Sequence, residues 1–206
     1  MPWTARRLLA IGLLLVAGNV LAEPAPVNAP HWPASYDHYF RKYTKHYFGP
    51  FWDWRWFKAQ AIVESTLERG AQNPSGAVGL MQILPSTYAE IRQSNQHFGP
   101  ITEPRWNIAA GIYYDHYLYS QPLWSPLRGT LRLMASFAAY NAGFGRASQA
   151  YEQTPKPITA WAQMAPRLPL QTQDYVKRIV RVKTGHHPRP AHRGLAALLA
   201  TWHHKH

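Results

Sequence analysis

Cysteine is absent from all 206 residues, so neither a disulfide framework nor a lipid-modified N-terminal cysteine is available. Acids are scarce as well. Ten Asp and Glu stand against 22 Lys and Arg, a formal charge of +12, so each carboxylate can be weighed individually. No convincing alternating strand pattern and no internal repeat occurs. What remains is 46% hydrophobic and 14% aromatic, enough to bury one proper core. The positive charge suits an anionic polymer such as nucleic acid, anionic lipid or an acidic cell-wall glycan. Nine Trp and twelve Tyr point toward sugars or an aromatic core rather than phosphate backbones.

The N-terminus addresses the compartment. Arg6 and Arg7 precede the apolar run LLAIGLLLVAGNV, and Val20-Leu21-Ala22 offers small residues before a cleavage point at Glu23. This run is short for a bilayer-spanning helix, which needs about 20 apolar residues. Residues 1–22 are therefore expected to be a signal peptide, exporting the chain to the periplasm or cell envelope and leaving no stable membrane anchor after cleavage. Export also argues against a nucleic-acid partner. Loss of Arg6 and Arg7 lowers the charge from +12 to +10.

Residues 23–34 (EPAPVNAPHWPA) are Pro- and Ala-rich, which predicts a flexible lead-in. From Ser35, Tyr36, Tyr39, Phe40, Tyr43 and Tyr47 fall at helical spacing, a stripe better suited to a core than to a glycan. Gly49-Pro50 stops that helix, and Asp53 is placed to cap the next. Further helices are expected near 86–94, 107–119 (opened by Asn107), 126–140 (started by Ser125-Pro126), 144–152 and 172–184, the last ended by Gly185. Residues 35–184 thus form one mainly α domain, with room for a small β-hairpin in the glycine-rich stretch. Residues 185–206 form a basic tail with His186, His187, His192, His203, His204 and His206. Imidazole ligates metals, but no acid or clean helical His pair supports a site there, so neither metal nor cofactor is expected.

One acid stands out by its setting. Glu64 lies near the end of the helix containing Trp54, Phe57, Ala61 and Ile62, and Gly70, Gly76 and Gly79 follow in a loop. On its own such a glutamate could be a structural acid bonded to loop amides. Its apolar flanks could also desolvate it and keep it protonated as a general acid. Glycines let backbone approach a ligand closely, and Gln82 adds an amide. A two-carboxylate glycosidase would need a partner about 5–9.5 Å away. Glu68, one helical turn on, is the nearest in sequence; as a helix-end acid it is expected to be solvated or salt-bridged. Asp115 and Asp174 have no comparable loop.

Four blocks carry a resemblance. Glu64-Ser65, Ala71, Gly76-Ala77, Gly79-Leu80-Met81-Gln82, Pro85 and Thr87 resemble the catalytic motif of the soluble lytic transglycosylase family. Ala139-Tyr140-Asn141-Ala142-Gly143 resembles its second signature. Asn107-Ile108, Gly111 and Tyr113-Tyr114 are similar to the helix between, and Leu168-Pro169, Thr172 and Tyr175-Val176 to the closing motif. The match runs in order from about Phe51 to Thr184. It implies a lysozyme-like fold with a groove for peptidoglycan glycan strands, and Glu64 as the single catalytic residue. That family's Glu protonates the oxygen leaving between N-acetylmuramic acid (MurNAc) and N-acetylglucosamine (GlcNAc). It then takes the proton of the muramic C6 hydroxyl as that group closes on C1, giving a 1,6-anhydro end. The same resemblance implies that Ser65, Asn73, Gln82, Tyr140, Asn141, Gln171 and Tyr175 bind substrate around Glu64.

Departures from the family pattern are Asn73 for a usual Ser, Leu67 for an aromatic, Arg69 for a Pro and Gln171 for a Glu. The last removes a negative charge that would raise the catalytic acid's pKa. Two other readings stay open: a lysozyme-type hydrolase, needing Glu68 or Asp115 to face Glu64, and a cell-wall binder with a degenerate groove.

Overall fold

A computed structural model describes residues 25–185; the expected signal peptide through residue 22 and nearly all of the histidine-rich tail fall outside them. Among the described residues the architecture is helical, with no named strand. Eight α-helices run in order: α1 (Asp37–Phe48), α2 (Arg55–Ser65), α3 (Pro85–Ser94), α4 (Pro104–Tyr119), α5 (Gly129–Ala142), α6 (Phe144–Glu152), α7 (Trp161–Met164) and α8 (Leu170–Thr184). Short 3₁₀ turns at Pro122–Trp124 and Ala165–Arg167 join them. No described helix is long and apolar enough to cross a membrane.

The middle of α2 is buried on all sides: six consecutive residues, Phe57 to Ile62, are enclosed. α2 packs on α8 and α1, and α4 packs on α1 and α5, so α2 and α4 form the interior layer. The aromatic stripe of α1 behaves as core. Phe40 and Tyr43 are buried, and Tyr36, Tyr39 and Tyr47 pack partly against them. Lys58 is buried yet satisfied, its Nζ donating to Asp37 Oδ1 (2.6 Å) and to the Pro33 carbonyl (3.1 Å). Burying a charge is tolerable only with such partners.

Several expectations need correction. The segment expected as a flexible lead-in is anchored over residues 25–34: Val27 is buried, its N–H donates to the Val182 carbonyl (2.8 Å), and Trp32 Nε1 donates to Ala25 O. Composition pointed to a solvated strand of chain, but Val27 and Trp32 found apolar surface to cover. α4 begins at Pro104, not at Asn107, because Pro at the first helical position needs no N–H partner. Ser125-Pro126 lies in a turn and α5 starts only at Gly129. The expected hairpin reduces to two single bridges, Gln72 with Val78 and Val78 with Ile83. Asp53 does serve the start of α2, accepting from the Arg55 N–H (3.0 Å). α6 and the Gly185 stop of α8 fall where expected.

Candidate active site

Glu64 is the penultimate residue of α2, and the residues after the helix turn the chain away sharply. Thr66 and Leu67 both adopt left-handed backbone, at φ 55° and 61°. That conformation is costly for a β-branched residue such as Thr and persists only where packing enforces it. Leu67 is buried, and the Ser65 hydroxyl donates to the carbonyls of Ala61 (3.2 Å) and Leu80 (2.9 Å), pinning the exit. The break corrects one expectation. Glu68 is not on the helical face of Glu64 but beyond the helix end, and it is exposed.

The loop from Glu68 to Leu84 forms a wall beside the acid and is held by one side chain of α4. Asn107 Oδ1 accepts from the Met81 N–H (2.8 Å), while its Nδ2 donates to the carbonyls of Val78 (2.9 Å) and Ile101 (3.0 Å). Gly79 permits this clamp. It sits at φ 77°, and a Cβ there would lie 2.5 Å from Asn107 Nδ2. Gly111 lets Met81 lie against α4, where a Cβ would stand 2.7 Å from the Met81 side chain. The Tyr140 hydroxyl donates to the Met81 carbonyl (2.7 Å), and Gln82 Nε2 donates to Ala71 O (3.1 Å) and Gly79 O (2.9 Å).

Of the residues expected around the acid, one touches it. Tyr175 of α8 donates its hydroxyl proton to Glu64 Oε1 at 2.6 Å. Ser65, Gln82 and Tyr140 are buried, and the donors of all three serve backbone carbonyls of the loop rather than Glu64. Asn73 Oδ1 accepts from the Ala77 N–H (2.9 Å), shaping the glycine loop. Asn141 Oδ1 accepts from Thr172 Oγ1 (2.8 Å), tying α5 to α8. Gln171 is half-buried in the first turn of α8.

Two residues of the cluster carry no family resemblance in the sequence. Gln60, fully buried one turn before Glu64 in α2, donates through Nε2 to Tyr175 Oη (3.2 Å) and to Asp115 Oδ1 (3.3 Å). Asp115 is fully buried in α4. The available signal was an amide inside the apolar run of α2, at the i, i+4 spacing that puts it on Glu64's face.

The electrostatics follow from this enclosure. Burial pushes Glu64 from its ordinary 4.5 up to about 7, against the lowering effects of the Tyr175 hydrogen bond and of Arg178. Glu64 is half-buried rather than sealed, so part of its surface can be reached from outside. Burial holds Asp115 well above the carboxylate range; Gln60's hydrogen bond opposes this, and the nearby Glu64 adds to it. Tyr175 and Tyr140 are pushed up by burial first and by Glu64 second, and both stay neutral. Among the described residues no group of three or more His, Cys, Asp or Glu could hold a metal ion. A separate groove of about 640 Å³ between Met134, Trp161 and the outer face of α8 shares none of these residues.

An all-helical arrangement with a raised carboxylate at a helix end, bonded by a tyrosine and followed by a glycine loop, has the lysozyme-like architecture. The chain belongs to the transglycosylase SLT domain family, whose description matches residues 40–160. It is 32% identical over 154 residues to a soluble lytic murein transglycosylase of Salmonella typhimurium, covering 72% of this chain and 22% of the relative. It is 33% identical over 93 residues to a membrane-bound lytic murein transglycosylase F of Haemophilus influenzae, covering 45% and 18%. Among solved structures, an inactive mutant of the lytic transglycosylase Slt of Pseudomonas aeruginosa shares the fold at TM-score 0.60 and 23% identity, over 73% of this chain and 24% of that one. The 70 kDa soluble lytic transglycosylase of Escherichia coli superposes at TM-score 0.57 with 26% identity, again over 73% and 24%. The chain therefore spans about a quarter or less of the relatives it matches.

Proposed function

We propose that this chain is a peptidoglycan lytic transglycosylase that cleaves the MurNAc–GlcNAc β-1,4 bond without water. The observation that carries the reading is the solitude of Glu64. It is half-buried and elevated to about 7, while the other acid of the cluster, Asp115, is sealed from solvent. A hydrolase on this fold would need a second open carboxylate or an equivalent base for water. Glu68 is exposed beyond the helix break, and Asp115 has no exposed surface.

In this reading neutral Glu64 gives its proton to the glycosidic oxygen as the C1–O bond breaks. Positive charge develops at the muramic C1, where the substrate's acetamido group can share it. The C6 hydroxyl then adds to C1 and its proton returns to the Glu64 carboxylate. Atoms balance with no water consumed, and Glu64 ends as it began. A group titrating near 7 serves both steps, being neither too weak to donate nor too weak to accept. Tyr175 stabilises the intervening carboxylate through its 2.6 Å bond. Asn73, Asn141 and Gln171 supply amides around the acid for the glycan, with Ser65, Gln82 and Tyr140 shaping the floor beneath it.

The excess of basic residues suits a wall whose stem peptides bear carboxylates. Export through residues 1–22, action in the periplasm or envelope, and a domain spanning residues 35–184 with a basic tail complete the proposal. The test is mass spectrometry of muropeptides released from purified sacculi by the wild type and by Glu64→Gln. Anhydro-muramyl ends from the wild type alone are expected. Reducing ends would mean a hydrolase, and bound but uncut sacculi would mean a wall-binding protein.

A further inference from the structure

We propose that Gln60 and Asp115 are positioning residues that aim the Tyr175 hydroxyl at Glu64 Oε1 and so confine the transferable proton to Oε2. The proposal rests on Glu64 being the acid of the transglycosylase reaction. Nothing in the family resemblance singles out either residue, and the proton transfers assigned to Glu64 use neither.

With the Gln60 amide nitrogen turned toward Tyr175 and Asp115, donor counting gives the direction of each bond. Gln60 Nε2 has two hydrogens; one goes to Tyr175 Oη (3.2 Å) and the other to Asp115 Oδ1 (3.3 Å). Tyr175 Oη therefore accepts from Gln60, and its single hydrogen is directed to Glu64 Oε1 at 2.6 Å. Oε1 is thus an acceptor, and the proton of neutral Glu64 resides on Oε2. Were the chain reversed, with Tyr175 accepting from Glu64, the acid proton would sit on Oε1 and face the protein. The Tyr175 hydrogen stays on Oε1 when Glu64 ionises, so Oε2 both gives the first proton and receives the second.

Asp115 fixes which way Gln60 points. As an acceptor at Oδ1 it holds the amide nitrogen, rather than the amide oxygen, toward the tyrosine. Asp115 Oδ2 and Gln60 Oε1 are buried without a hydrogen-bond partner. Such a pair is tolerable when a proton on Asp115 removes the negative charge from the cluster. The charged and titratable groups bearing on Glu64 from the packed elements are Tyr175 and Arg178 of α8, Tyr140 of α5 and Asp115 of α4. Neutrality of Asp115 keeps a second negative charge away from Glu64 as it ionises.

The experiment compares wild type, Gln60→Met, Tyr175→Phe, the double variant Gln60→Met/Tyr175→Phe and Asp115→Asn, using initial rates on purified glycan strands across pH. Gln60→Met is expected to lower kcat about tenfold with KM unchanged, the size of one lost hydrogen bond in the transition state. The basic limb of its pH profile, where Glu64 loses its proton, moves to higher pH because Tyr175 no longer holds the carboxylate as well. The double variant is no slower than Tyr175→Phe, because Gln60 acts through the tyrosine. Asp115→Asn keeps an oxygen for Gln60 and stays within about twofold of wild type with an unmoved limb.

A folded Gln60→Met with wild-type kcat and limb overturns the proposal, as does additive damage in the double variant. Collapse of Asp115→Asn to the level of Glu64→Gln also overturns it, since Asp115 would then act ionised. Should Gln60→Met not fold, Asp115→Leu, which removes the acceptor that orients Gln60, decides: a slower kcat with a raised basic limb is expected, and wild-type kcat and limb overturn the proposal. The end group formed by the wild type tests the function; the relative rates and limbs test the positioning whichever end group forms.

Discussion

Glu64→Gln should make the protein more stable, and only where the glutamate would otherwise ionise. Enclosure at the end of α2 raises the folded-state value from an ordinary 4.5 to about 7. In the unfolded chain Glu64 loses its proton near the ordinary value. Below that value both states hold the proton and the full stability is present. As pH rises through the window to about 7, the unfolded state is favoured by ionisation while the folded state resists it, and stability is lost. Each pH unit between the two values is worth about 1.4 kcal/mol, which sets a ceiling of about 3 kcal/mol. Because Glu64 keeps part of its surface in solvent, about 2 kcal/mol is the working figure. Gln at 64 is never charged and can still accept the Tyr175 proton, so it escapes this penalty. For a chain of this size the difference corresponds to roughly 4–8 °C in Tm. Thermal unfolding of both proteins by circular dichroism should give nearly equal Tm values at about pH 4 and a higher Tm for the variant at about pH 8. A Tm difference that is flat with pH, or a wild type that gains on the variant as pH rises, would refute the enclosure of Glu64 and its readiness as an acid.

Three further outcomes are expected. Tyr175→Phe removes a donor that favours the ionised carboxylate, so the basic limb of the pH–rate profile should move up and kcat fall about tenfold; an unmoved limb in steady-state assays would contradict it. Gly79→Ala forces left-handed backbone on a residue whose Cβ would meet Asn107, and should lower the urea-unfolding free energy by about 3 kcal/mol. A loss under about 0.5 kcal/mol would mean the clamp is not rigid. Tyr140→Phe leaves the buried Met81 carbonyl without its donor and should cost about 1–2 kcal/mol in the same measurement, with the near-ultraviolet spectrum otherwise retained.

The helical character, the core role of the aromatic stripe in α1 and the singling out of Glu64 were all legible in the chain. Periodicity decides which face of a helix is buried, and the glycines at 76 and 79 mark backbone that no other residue adopts easily. Local signals failed where distant groups supplied the partner. Asn107 reads as a helix opener, yet it is a buried clamp inside α4 because three backbone groups of the loop and its flank converge on it. Val27 belongs to a stretch whose composition suggests solvation, and it is buried by a bond to Val182, far along the chain. Glu68 stands one helical turn after Glu64 in the sequence, but two left-handed residues divert it.

The sequence by itself therefore determined the fold class and offered Glu64 as the candidate acid, because hydrophobic spacing and residue scarcity are properties of the chain alone. Which groups meet that acid was decided only by packing. Ser65, Gln82 and Tyr140 turn their donors into the loop, and Tyr175 turns its own onto Glu64. Gln60 and Asp115, 55 residues apart in the chain, join it from α2 and α4. The reason is that a buried polar group must find a partner in three dimensions, and no interval along the chain says which one it will be.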